Sequence, residues 1–149
     1  MREKIEYSLV KLFLWLAKIT PKSFVYVMMK VLTVLVYHLD KKRRTFTISN
    51  LSMAFPEKST EEIKALSKEV YIELSKTIAE ILFMFVGKFD IDNTVINQDE
   101  TKKKLQDIAQ NSTNGVIVIT AHFSNWELAA HFLARHGLPM LAVGREGNN

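Results

Sequence analysis

Hydrophobic residues open the chain in two nearly continuous runs, Tyr7 to Ile19 and Phe24 to Leu39, separated by a break at Pro21. In the first run Lys4, Lys11 and Lys18 recur every seven residues. Seven residues are nearly two helical turns, so the lysines share one helix face while Leu9, Phe13, Leu14 and Leu16 take the others. The second run carries Lys30 near its middle. Neither run reaches the ~20 apolar residues of an ordinary spanning helix. A lysine at the bilayer centre costs ~2.5–3.5 kcal/mol, against ~0.3–0.6 gained per large apolar residue. The pattern therefore predicts two helices lying in, or dipping into, a membrane interface, with their lysines reaching toward the headgroups. A tilted single span and a pair of core helices in a soluble bundle are the alternatives. No small-residue cleavage site follows the first run, which argues against a removable signal peptide.

Beyond Lys41-Lys42-Arg43-Arg44 the pattern turns globular. Pro56 ends a short helix, and Ser59 with Glu62 has capping-box spacing at the start of a long one. Ile63, Leu66, Val70, Leu74, Ile78, Ile81 and Phe85 form its apolar stripe, and Gly87 stops it. Glu80 lies inside that helix's apolar tail, either on a wet face or buried with a cation. Residues 90–98 read as irregular, with a short strand at 94–96, and 99–110 as a surface helix with Leu105 and Ile108 inward and Lys102-Lys103-Lys104 outward. Val116-Ile117-Val118-Ile119-Thr120 then reads as a strand buried on both faces. A helix from Asn125 to Gly137 and a second strand, 140–143, complete a βαβ unit with a right-handed crossover. The predicted fold class is α/β: a membrane-anchoring helical segment over 1–44 and the opening part of an α/β domain over 45–149. Two strands cannot make a covered sheet, so the sequence is expected to continue past Asn149.

Charge sharpens the picture of the first segment. The whole chain carries a formal +4, but up to residue 50 ten basic residues face three acidic ones, a local +7 that leaves −3 for the remainder. Positive charge attached to the hydrophobic third points to an anionic membrane surface. It does not point to nucleic acid, for which no motif or basic stripe interleaved with aromatics is present. With no cysteine, disulfides and thiolate metal sites are excluded.

Chemistry concentrates between the strand at 116–120 and the helix after it, where α/β proteins tend to place their sites. His122 and Glu127 fall in that turn. The structural reading of Ser124-Asn125-Trp126-Glu127 is a capping box, with Ser124 as N-cap and Glu127 at N3, and His122 as a turn or core histidine. The functional reading is a dyad. The carboxylate fixes the imidazole tautomer through one ring N–H, and the other nitrogen takes a proton from a hydroxyl. Backbone N–H groups at the helix start are placed to stabilise an oxyanion. A metal site built from His122, Glu127 and His131 matches no zinc-helix spacing.

The string His122-Phe123-Ser124-Asn125-Trp126-Glu127 resembles the His–four residues–acid motif of the bacterial lipid A biosynthesis (late, lauroyl/myristoyl-type) acyltransferases, within the lysophospholipid acyltransferase superfamily. Arg43-Arg44 followed by Asn50-Leu51 and Phe55-Pro56 is similar to the family's block after its amino-terminal anchor. Glu80, Gly115-Val116-Ile117, Arg145 and Asn149 also match. Ser124 departs from the pattern, since the family usually has Gly there. The resemblance covers nearly the whole chain but only about the first half of a family member. It implies transfer of a fatty acyl chain from an acyl carrier protein thioester to a hydroxyl of a lipid A precursor, at the cytoplasmic face of the inner membrane. His122 is then the general base and Glu127 its orienting partner. Asn125, Trp126, Arg145 and Glu80 serve substrate binding, and no metal or organic cofactor is needed. The alternatives are an acyltransferase for another membrane glycolipid or aminolipid, and a non-catalytic membrane-associated module in which Glu127 is only a helix cap.

Overall fold

The computed structural model describes residues 2–114, 116, 117, 119 and 124–136, in two compact units, 1–89 and 90–149. The first unit holds four helices: α1 (Arg2–Ile19), α2 (Lys22–Leu39), α3 (Lys41–Ala54) and α4 (Thr60–Phe85). Their ends follow from local chemistry. Pro21 stands at the N-cap of α2. Asp40 closes α2 and opens α3, its carboxylate accepting from the Arg43 N–H at 2.9 Å. At α4 the predicted capping box is complete. The Glu62 N–H donates to Ser59 Oγ at 3.3 Å, and the Ser59 N–H donates to the Glu62 carboxylate at 2.8 Å. The hydrogen bonds that the backbone N–H and the hydroxyl of Ser59 donate to the Glu62 carboxylate hold it below its ordinary pKa. Gly87, with φ +71°, takes the left-handed turn just past the end of α4.

Helix α4 is the spine of this unit, and α2 packs along it. The α2 residues Val25, Met29, Thr33 and Tyr37 are buried at every fourth position. They face an equally spaced row on α4: Ile63, Ser67, Tyr71, Ser75, Ala79 and Phe83. Rows spaced by four residues are the ridges through which helices commonly interdigitate. Ser67, Ser75 and Ala79 are small enough to admit a neighbour, and the serine hydroxyls donate back to the carbonyl oxygens of Lys64 and Ile72. The Tyr37 hydroxyl meets Ser67 Oγ at 3.1 Å, and its ring stands edge-on to Tyr71. At the other end Tyr26 stands edge-on to Phe83. Ala17 of α1 joins Val25, Met29, Ala79 and Phe83 in the core.

The stripe predicted for α4 is therefore displaced. Ile63 is buried as expected, but Val70, Leu74 and Phe85 are exposed. A hydrophobic count cannot find a row in which serines replace apolar side chains because of their size and bond their hydroxyls within the helix.

In the second unit α5 (Ile91–Thr94), α6 (Gln98–Asn111) and α7 (Trp126–Arg135) follow. Ile91 and Phe132 are buried. The Asp92 carboxylate binds the His136 ring at 2.8 Å and Arg135 at 3.4 Å, joining α5 to the end of α7. On α6, Leu105 is half-buried but Ile108 is exposed. Lys102 is not a purely solvated lysine, since its ammonium lies 5.9 Å from the centre of the Phe132 ring.

The α/β expectation does not hold: among the described residues every regular element is helical. Val116, Ile117 and Ile119 are not in a strand, and the last two are 91% and 92% exposed. A β-branched run expresses only a preference for extended backbone. It becomes a strand when its N–H and C=O groups meet a neighbour, and none is present among the described residues. The βαβ unit is thus absent there, and its second strand, 140–143, lies outside the described residues. The short strand at 94–96 is also overturned. Thr94 ends α5, capped by Asp90, and Ile96 is exposed.

Candidate functional site

The turn into α7 carries the candidate chemistry, and its last four residues are described. Ser124 has φ +51°, in the left-handed region. An N-cap residue takes non-helical backbone, usually extended, and accepts from the amide two or three residues on. Asn125, not Ser124, does this, its side-chain oxygen accepting from the Leu128 N–H at 3.1 Å. The cap thus sits one residue later than the spacing predicts, and Glu127 falls at the second helical position instead of the third. No capping box forms between Ser124 and Glu127.

Glu127 is half-buried, and its carboxylate accepts from the Trp126 indole N–H at 3.2 Å. The helix amino terminus also favours a negative charge at this position. Asn125, Trp126 and Glu127 are therefore brought together by one helix start. One caps the backbone, and the next restrains the carboxylate of the third. His122 and Arg145 lie outside the described residues.

Glu80 lies elsewhere, half-buried in the first unit, in a groove of about 480 Å³ between α2 and α4. Tyr26, Val27, Lys30, Ile72, Ser75 and Lys76 line the rest. Burial, and after it the charge of Glu80, raises the pKa of the Tyr26 phenol. Lys76 is paired with Glu73 at 2.6 Å. Of the two readings open for Glu80, neither is complete, because it stands at a partly wet rim together with cations. Tyr26, Lys30 and Lys76 were not singled out as site residues. The signal available was a lysine interrupting an apolar run, together with Lys76 and Glu80 four apart on one helix.

Compared with known families, residues 1–149 match the one described as bacterial lipid A biosynthesis acyltransferase. The chain belongs to this family. No curated protein and no solved structure matches it. Membership relates the chain, at the level of the family, to acyltransferases of lipid A biosynthesis. Of the string 122–127, residues 124–127 are described. The apolar amino terminus is in keeping with membrane association, since α2 is long and apolar enough to cross a membrane by length and composition.

Proposed function

We propose that this protein transfers a fatty acyl chain from an acyl carrier protein thioester to a hydroxyl of a lipid A precursor, with His122 as general base and Glu127 as the group that orients it. The imidazole takes the hydroxyl proton as the oxygen attacks the thioester carbonyl. The C–S bond then breaks, and the proton passes to the leaving thiolate. Backbone N–H groups at the start of α7 suit the oxyanion formed between these steps. The reading rests on the family match over the whole chain, and the carboxylate of Glu127, restrained by Trp126 at a helix start, is compatible with it. Asn125 and Trp126 then shape the site, and Arg145 and Glu80 contact substrate. No metal or organic cofactor takes part.

A second reading has its own support: Glu127 already has a structural partner and a favourable place in the helix dipole, as a purely structural residue would. The chain is then a membrane-associated member of the family without transfer chemistry of its own, or one with a different membrane glycolipid or aminolipid as acceptor. Mass spectrometry of the lipids made by cells carrying wild-type protein, His122→Ala or Glu127→Gln separates these. Loss of one acyl chain from lipid A in both variants supports the first reading. An unchanged lipid A overturns it, and loss from another lipid reassigns the acceptor.

A further inference from the structure

Helix α7 begins at the Glu127 carboxylate and ends in a clamp made by one side chain of α5. One carboxylate oxygen of Asp92 accepts from His136 Nε2 at 2.8 Å, and the other lies 3.4 Å from the Arg135 guanidinium. Successive helical residues are turned by about 100°. A carboxylate that grips two of them resists rotation of α7 about its axis as well as sliding along it. The grip falls on the last turn, where the His136 N–H still bonds to the carbonyls of Phe132 and Leu133. Arg135 is favourably placed there, because a cation near a helix carboxyl terminus meets the negative end of its dipole.

The element that holds α7 is itself braced. Asp90 caps α5, one carboxylate oxygen accepting from the Asn93 N–H at 3.2 Å and the other from the Asn93 side-chain amide at 2.6 Å. The Thr94 hydroxyl donates to the Asp90 carbonyl at 2.6 Å. Among the described residues, α5 is the element on which α7 packs most. The buried side chain of α7 is Phe132, and the His136 ring lies against it with centroids 4.6 Å apart. Apolar contact through one buried ring fixes where α7 lies but not how it is turned. The two-pronged grip of Asp92 supplies the rotational restraint.

Rotation matters at the opposite end. Ten residues of helix span ~15 Å, and so short a helix transmits a turn at one end to the other as a rigid rod. Its first turn holds Trp126 and Glu127, with the indole N–H donating to the carboxylate at 3.2 Å. We propose that Asp92 is a positioning residue for acyl transfer: its grip on Arg135 and His136 sets the rotation at which α7 presents the Glu127 carboxylate. This role rests on the acyl-transfer reading, in which Glu127 orients His122, and adds what holds Glu127 in place. A misplacement of about 1 Å at a reacting centre costs up to ~10²-fold in rate. A loosened clamp is therefore felt in turnover before it is felt in folding.

The chain has two tryptophans, Trp15 and Trp126, so Trp15→Phe leaves Trp126 alone to report the start of α7. In that background, in the full chain and well below its melt, Asp92→Ala should shift the Trp126 emission maximum from the far end of the helix. In acyl transfer Asp92→Ala should lower kcat about 10-fold at unchanged KM. Asp92→Glu, which restores a carboxylate, should recover most of that loss. Asp92→Ala combined with Glu127→Gln should be no slower than Glu127→Gln alone, since both act through one carboxylate. If Asp92→Ala does not fold, Asp92→Asn carries the same comparisons, because it keeps an oxygen acceptor for His136 and loses the charge facing Arg135. An unshifted Trp126 emission with a lowered melt overturns the proposal and leaves Asp92 a stabilising residue. So does a rate loss that multiplies with that of Glu127→Gln. A fully active Glu127→Gln overturns the dyad itself and this role with it. The Trp126 shift, which involves no turnover, tells that case from a failed clamp.

Discussion

The ammonium of Lys88 donates to the carbonyl oxygen of Ala17, 71 residues earlier, at 2.9 Å, and to that of Thr20 at 3.1 Å. These carbonyls lie at the end of α1, where the helix leaves its last acceptors unpaired and its dipole negative. One side chain beyond α4 therefore neutralises the end of α1 and fastens it to the core around Ala17 and Phe83. Lys88→Met keeps the aliphatic stem and removes the donors. Urea denaturation should show a loss of about 1–2 kcal/mol, with hydrogen exchange accelerated first in the last turn of α1.

Ser124 and Asn125 make a paired prediction. Serine at φ +51° carries a steric cost that glycine lacks, so Ser124→Gly should stabilise the start of α7 by about 1 kcal/mol. Asn125→Ala removes the cap and should cost about 1 kcal/mol, while Ser124→Ala should be nearly neutral. Exchange protection of the α7 amides reads all three. A large loss in Ser124→Ala alone would restore serine as the cap.

The capping box of α4 gives a pH dependence with a fixed sign. Glu62 has a lowered pKa in the folded chain because the backbone N–H and hydroxyl of Ser59 donate to its ionised form. Its contribution to stability is then fully present above the ordinary glutamate range and is lost as pH falls through the lowered folded value. Thermal melts between about pH 6 and about pH 3 should show wild type and Glu62→Gln converging at the acid end, since an ordinary glutamate titrates near ~4.3. A gap that is constant with pH would mean that the charge contributes nothing.

For the dyad, Glu127→Gln preserves shape and removes charge. If Glu127 supports an imidazolium at His122, acyl transfer should fall substantially while the melt is unchanged. His122→Ala should fall further, since a positioned base contributes ~10²–10⁴-fold. The double variant should be no worse than His122→Ala, because both residues serve one proton transfer. A fully active Glu127→Gln leaves Glu127 a structural residue.

Helix ends were the most legible part of the chain. Pro21, Pro56, Ser59 with Glu62, and Gly87 act through backbone geometry within a few residues, and the structure uses each one as read. The inner row of α4 was not legible, because Ser67 and Ser75 count as polar in any hydrophobic pattern yet lie in the core on account of their size. Ile117 and Ile119 failed for another reason: strand formation depends on a partner that the local run does not contain. At α7 the acceptor was misplaced by one residue. Serine and asparagine both cap well, and only the left-handed backbone at Ser124 decides between them. That the carboxylate of Glu127 is held by its neighbour Trp126 has no periodic signature at all.

Asp40 does two jobs at once. Its own N–H closes α2 on the Val36 carbonyl at 2.8 Å, and its side chain opens α3. No spare residue separates the helices, so the joint is an elbow without slack. A longer loop would absorb a change in the tilt of α2, but this one passes it on as a rotation of α3 and its leading cluster of basic residues, 41–44. The direction of α2 therefore fixes where the basic cluster 41–44 begins.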